Sequence, residues 1–188
     1  MQQPERRMTV DEFFLWAEGR SERYELVDGQ PYAMSPERMV HIETKGAVFS
    51  ALREAVQNAK LPCRVLGDGA TVRIDPRTAF EPDALVRCGP RLSPDVLETP
   101  DPLIVVEVLS PHTRNYDTGA KLAGYFTVPS IRHYLMVDSD RRILIHHRRD
   151  DGDAIATRIL ASGPLRLDPP GLELDVEDLF GPGDDPAP

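Results

Sequence analysis

LIVVEVLS, residues 103–110, is an apolar run of strand length interrupted once, by Glu107. That pattern marks a central strand covered on both faces, and it makes the chain an α/β protein built around one sheet. An ionised carboxylate inside such a strand costs roughly several kcal/mol unless a cation or a hydrogen-bond network meets it. Two kinds of partner satisfy Glu107: a buried arginine, or a metal ion.

Upstream of this strand, DALVR (residues 83–87) reads as a short strand introduced by Pro82. If the two strands pair in sequence order, Asp83 sits beside Glu107, and two convergent carboxylates repel unless positive charge lies between them. Magnesium suits such a pair, being a hard ion that takes few protein carboxylates and keeps several waters. Taken alone, an aspartate after proline is an ordinary turn or strand-start residue. Downstream, a helix expected from about Thr113 to Thr127 returns across the sheet and can aim Lys121 at the acids. A lysine there can position water or stabilise charge on an attacked phosphate. The plainer reading pairs Lys121 with Asp117 one turn earlier, a surface contact worth about 0.2–0.5 kcal/mol. Tyr125, four residues further on, shares that face.

The flanking segments fill out the domain. Thr9 and Glu12 form a capping-box signature ahead of a short helix, and Asp28-Gly29 between RYELV and QPYAM is the dipeptide of a tight hairpin. From about Arg38 to Lys60, Ile42, Phe49, Leu52, Val56 and Ala59 recur at helical spacing, predicting a long packing helix. CRVL and TVRI read as strands, RHYLMVD and RILIHHR as two more around Ser139-Asp140, and IATRIL as the last. Residues 1–180 are read as one domain, and GPGDDPAP, 181–188, as a disordered tail.

Composition narrows the classes. With 188 residues and 40% hydrophobic content, the chain can fill one core. No apolar stretch approaches the length of a membrane span and the opening residues lack a signal-peptide core, so a cytoplasmic address is expected. Cys63 and Cys88, without metal-type spacing, are read as reduced. A net charge of -9 is the wrong sign for a protein that coats nucleic acid, so any DNA affinity must be local or metal-assisted. His146 and His147, adjacent on a strand, point to opposite faces and are read as surface residues rather than joint ligands. Ser110 lacks a nucleophile elbow, and there is no Walker loop or dinucleotide fingerprint.

RYELVDGQPYAMSP, the helix beginning HIETKG, EPDALV, LIVVEVLSPHTRNYDTGAKLAGY and IRHYLMVD together resemble the Uma-two family, a bacterial branch of the PD-(D/E)XK restriction-endonuclease-like superfamily. The resemblance covers roughly Thr9 to Arg148. It implies a restriction-endonuclease-like core, a mixed twisted sheet flanked by helices, and a magnesium-dependent endonuclease (manganese as a substitute) acting on DNA. By this resemblance Pro82, Asp83 and Glu107 match the metal-binding motif, with the Val108 carbonyl as a further ligand. The superfamily's lysine, two residues past the acid, is replaced here by Leu109, and the resemblance moves that charge to Lys121. It also draws in Glu25, as a second carboxylate or as a strand-edge partner of Arg23 or Arg64, and His41, as a phosphate, water or carboxylate contact or a helix cap. A homodimer and 5′-phosphate products follow by analogy. Two rivals stand beside this reading: a nuclease-like domain that binds DNA or protein without catalysis, and a hydrolase of smaller phosphoesters.

Overall fold

The computed structural model describes residues 7–109, 117–150, 152 and 154–181. Ser110, the Asp117 side chain, the first residues of the helix expected from Thr113, and tail residues 182–188 lie outside them. A six-stranded mixed sheet forms the centre, with strands β3 (Cys63–Leu66), β6 (Ala84–Cys88), β7 (Pro102–Leu109), β8 (His133–Asp138), β9 (Ile143–Arg149) and β10 (Ile155–Leu160) in the spatial order β10-β9-β8-β7-β6-β3. Strand β7 runs parallel to β8, and every other pair is antiparallel. A parallel pair cannot be closed by a hairpin, so the chain crosses over through the π-helical turn Asp117–Lys121 and the α-helix Leu122–Tyr125, together α3.

Residues of β7 alternate between two cores, as the central-strand reading requires. Ile104, Val106 and Val108 face Val48, Leu52 and Val56 of the long helix α2 (Met39–Asn58). Val105 and Leu109 face Tyr125, Phe80 and Tyr134 on the other side. A second sheet, β2 (Gln30–Ala33), β1 (Tyr24–Val27), β5 (Thr78–Phe80) and β4 (Val72–Asp75), lies over this second face, with helix α1 (Val10–Ala17) packing its Val10 and Phe13 on Leu26 and Ala79. The β1–β2 turn is the expected tight one, with Asp28 and Gly29 both at positive φ. The mixed α/β architecture with helices on the sheet faces is therefore as expected.

Four expectations are corrected. Strand β5 and the hairpin of β11 (Pro164–Leu167) and β12 (Leu172–Asp175) are not predicted from the sequence: β5 has three residues, and the hairpin lies among Gly163, Pro164, Pro169, Pro170 and Gly171, which read as loop. Ile42 is exposed, because the inward face of α2 runs through Val48, Thr44, Lys45 and His41, and its first turns look onto a cleft instead of the core. His146 and His147 are buried on opposite faces of β9: His146 meets His133 at 2.9 Å and His147 meets Thr157 at 2.8 Å. Cys63 and Cys88 are a disulfide, since they fall directly opposite each other in the β3–β6 register, which spacing in sequence does not reveal.

Candidate active site

Strands β6 and β7 meet at Ala84↔Val106, so Asp83, just before β6, lies next to Glu107 on the sheet face that carries Leu85 and Val105. Both acids are buried, Asp83 at 7% exposure and Glu107 at 4%. They line one cleft of about 400 Å³ together with Glu25, His41, Val108 and Lys121. Every residue expected at the site is thus on its wall, although the five side chains come from β1, α2, β7, α3 and the start of β6.

Glu107 meets a lysine and a tyrosine. Lys121 Nζ stands 2.9 Å from Glu107 Oε1 and 2.9 Å from Glu25 Oε1. Tyr125 donates its hydroxyl to Glu107 Oε1 at 2.6 Å; burial first, and then the neighbouring carboxylates, hold that phenol well above its usual value, so it remains a donor. Glu25 does not pair with Arg23 or Arg64. Its Oε1 also accepts from the Glu81 N–H at 2.8 Å, while Arg23 goes to Glu81 and Asp68. The Lys121 ammonium therefore lies between the buried Glu107 and the half-buried Glu25.

Asp83 has a separate set. Its Oδ2 accepts from the Val108 N–H at 2.6 Å and lies 3.7 Å from His41 Nε2, and its Oδ1 lies 3.1 Å from Lys45 Nζ. Burial alone would push this carboxyl up, but His41, the Lys45 charge and the Val108 N–H outweigh it and hold it below its usual value. Lys45 also reaches Glu37 and Asp68, both at 2.7 Å. Burial would lower the Lys45 ammonium; the three carboxylates reverse that and raise it, so it stays charged. His41 does not cap α2: the N-cap is Arg38, and the imidazole turns inward to Asp83 with Nδ1 buried and, among the described residues, without a hydrogen-bond partner.

Lys45 and Glu37 escaped the sequence reading. Extending the buried stripe of α2 back from Val48 by three and four residues lands on Lys45 and Thr44, and four more reaches His41; charged and polar residues at buried-stripe positions were the available signal. Glu37, His41 and Asp83 each bring a possible ligand atom within 4.8 Å of the others, with the Lys45 ammonium against two of them.

The donor set of the Asp83–Glu107 pair fits a hard divalent ion: carboxylate oxygens from two strands, opening on a cleft with room for water. Extending the antiparallel register from Ala84↔Val106 puts Pro82 opposite Val108. The Val108 N–H points to this edge, so its carbonyl does too, and proline has no N–H to offer it.

A family model described as "Uma2: Putative restriction endonuclease" matches residues 10–179. A Synechocystis protein, "Uncharacterized protein slr1290", is 30% identical over 176 residues, which is 93% of this chain and 92% of that one. Among solved structures, the crystal structure of "a putative nuclease belonging to DUF820" from Anabaena variabilis superposes with a TM-score of 0.72 at 17% identity. That superposition covers 92% of this chain and 97% of the other, so the fold is shared along nearly the whole length.

Proposed function

The chain belongs to the Uma2 family, and from that membership we propose that it is a magnesium-dependent endonuclease that hydrolyses DNA phosphodiester bonds, with manganese able to substitute. The observation that carries the reading is the burial of Asp83 and Glu107 side by side on one wall of a cleft, each held by a lysine. Asp83, Glu107 and the Val108 carbonyl would hold the ion, which when bound supplies positive charge for the attacked phosphate and the leaving oxygen. Lys121 orients the attacking water and stabilises negative charge developing on the phosphoryl oxygens. Glu25 shares the Lys121 ammonium and fixes where that charge sits. His41, 3.7 Å from Asp83, positions that carboxylate and has Nδ1 left for a further partner. The water oxygen bonds to phosphorus, releasing one proton to solvent, as the P–O3′ bond breaks, and the 3′ oxygen takes up a proton from solvent, leaving 5′-phosphate and 3′-hydroxyl ends.

Cutting both strands of a duplex suits two-fold symmetry, and a homodimer belongs to this proposal. The test is to incubate the protein with supercoiled, linear and single-stranded DNA in magnesium, in manganese and in EDTA. Cleavage that needs the metal and leaves 5′-phosphate ends supports the reading. An absence of cleavage with every substrate, together with no magnesium heat in calorimetry, turns it to a nuclease-like binding module.

A further inference from the structure

We propose that Arg64, Arg87 and Arg91 form a phosphate-binding platform that holds the DNA backbone at a distance from the scissile bond; this rests on the nuclease reading and extends it to how substrate is gripped. Arg64 on β3 and Arg87 on β6 are direct cross-strand partners. Like charges directly opposite each other destabilise a sheet, so the pair is an unfavourable arrangement for folding alone and a favourable one for an anion. Among the described residues, neither Arg64 nor Arg91 has an ion-pair partner. Arg87 is aimed by two carbonyls, Pro100 at 3.0 Å from Nε and Pro90 at 2.6 Å from Nη1, which fix the guanidinium without neutralising it.

All three arginines line one groove of about 430 Å³. The acids in that groove are already occupied: Asp68 is 2.7 Å from Lys45, and Glu98 is 2.7 Å from Arg73. The loop that carries Arg91 is tied down by the Thr99 N–H donating to the Thr71 carbonyl at 2.7 Å. A local excess of positive charge therefore exists in a chain whose net charge is -9, which is the local attraction that composition requires of any DNA binder here.

The platform is also connected to the cleft. Side chains two residues apart share a sheet face, so Asp83, Leu85 and Arg87 point the same way, as do Arg64 and Leu66 opposite them. Gly67 and Asp68 line both the arginine groove and a neighbouring hollow, and that hollow reaches Glu37 and Asp83 on the wall of the cleft. Four residues of strand separate Asp83 from Arg87, about 13 Å at roughly 3.3 Å per residue. That is about four nucleotides along a duplex at 3.4 Å each.

The test is binding of a fluorescein-labelled duplex by anisotropy in EDTA over a salt series, with cleavage measured in parallel in magnesium. Each phosphate contact contributes about 0.9 to the slope of log K against log salt, so Arg64→Gln/Arg91→Gln should lower the slope by about 1.8. Arg64→Lys/Arg91→Lys should restore it, and cleavage by the Gln variant should show a raised KM with kcat kept. An unchanged slope in the Gln variant, with wild-type protein still cleaving, overturns the platform and leaves the nuclease reading standing. A reduced slope with no metal-dependent cleavage by wild type supports the platform and removes the nuclease. Wild-type protein that binds no duplex in EDTA overturns the platform, and cleavage in magnesium then decides the nuclease reading by itself.

Discussion

Replacing Lys45 by Met removes the ammonium that stands 3.1 Å from Asp83 while keeping most of the apolar stem. Asp83 is then left with the Val108 N–H and a more distant His41. Breaking a buried pair by deleting one partner costs about 3–5 kcal/mol. The lower end applies, because the other two carboxylates on Lys45, Glu37 and Asp68, are open enough to be rehydrated. In a chain of 188 residues each kcal/mol moves the melting temperature by roughly 2–4 °C, so about 3 kcal/mol lowers Tm by about 6–12 °C. Circular-dichroism melts at pH 7 measure this, and the double variant Lys45→Met/Asp83→Asn should recover part of the loss because no unpaired charge remains buried. A single variant within about 1 °C of wild type, or a double variant whose loss equals the sum of the singles, refutes the buried pairing.

Three further outcomes follow from the same structure. Burial, reinforced by neighbouring arginines, pushes His133 down to about 4, and burial with His133 alongside pushes His146 down to about 3. The pair is folded in its neutral form, so its stability is full above the usual imidazole value of about 6.5. It is lost as pH falls from there towards 4, at about 1.4 kcal/mol per pH unit for each group. His146→Gln should shrink the fall in Tm between pH 6.5 and 4.5, with His133 and the likewise lowered His147 supplying the rest, and an unchanged pH profile would count against the pairing. Gly124→Ala places a Cβ 2.7 Å from Phe80, which packs edge-on against Tyr125 at 5.4 Å. A loss of about 1–3 kcal/mol and a weaker cleavage rate are expected, read by melting and by plasmid assay, whereas a neutral substitution would show that α3 shifts freely. Reducing Cys63–Cys88, which closes a loop of 25 residues, should cost about 3.5 kcal/mol, and an identical melt with and without reductant would show that the bridge adds nothing.

How much was legible in the sequence depended on how local each contact is. Asp83 and Glu107 could be placed together because β6 and β7 follow one another and pair as a meander, so register alone aligns them. Lys121 could be placed because a parallel pair forces the chain back across the sheet, and a long side chain on that crossover must meet the face it covers. Lys45 and Glu37 were hidden because their reach to Asp83 depends on the rotation of α2 about its axis, which apolar periodicity defines only where the helix meets the core. The histidines were hidden for a similar reason. His133 and His146 are buried beneath the β11–β12 hairpin, which reads as loop in the sequence and whose Pro169 carbonyl stands 3.0 Å from His133 Nε2. The cysteines are 25 residues apart in sequence and opposite in space, a fact of strand register with no trace in composition.

The most direct measurement is the magnesium-dependent rate of plasmid cleavage by wild-type protein beside Asp83→Asn, Glu107→Gln and Lys121→Met, each first shown to be folded by circular dichroism. Losing a charge-stabilising group at such a site costs roughly 10²–10³ in rate. The account predicts a fall of that size in all three variants. A folded Glu107→Gln protein that cleaves at the wild-type rate would contradict it.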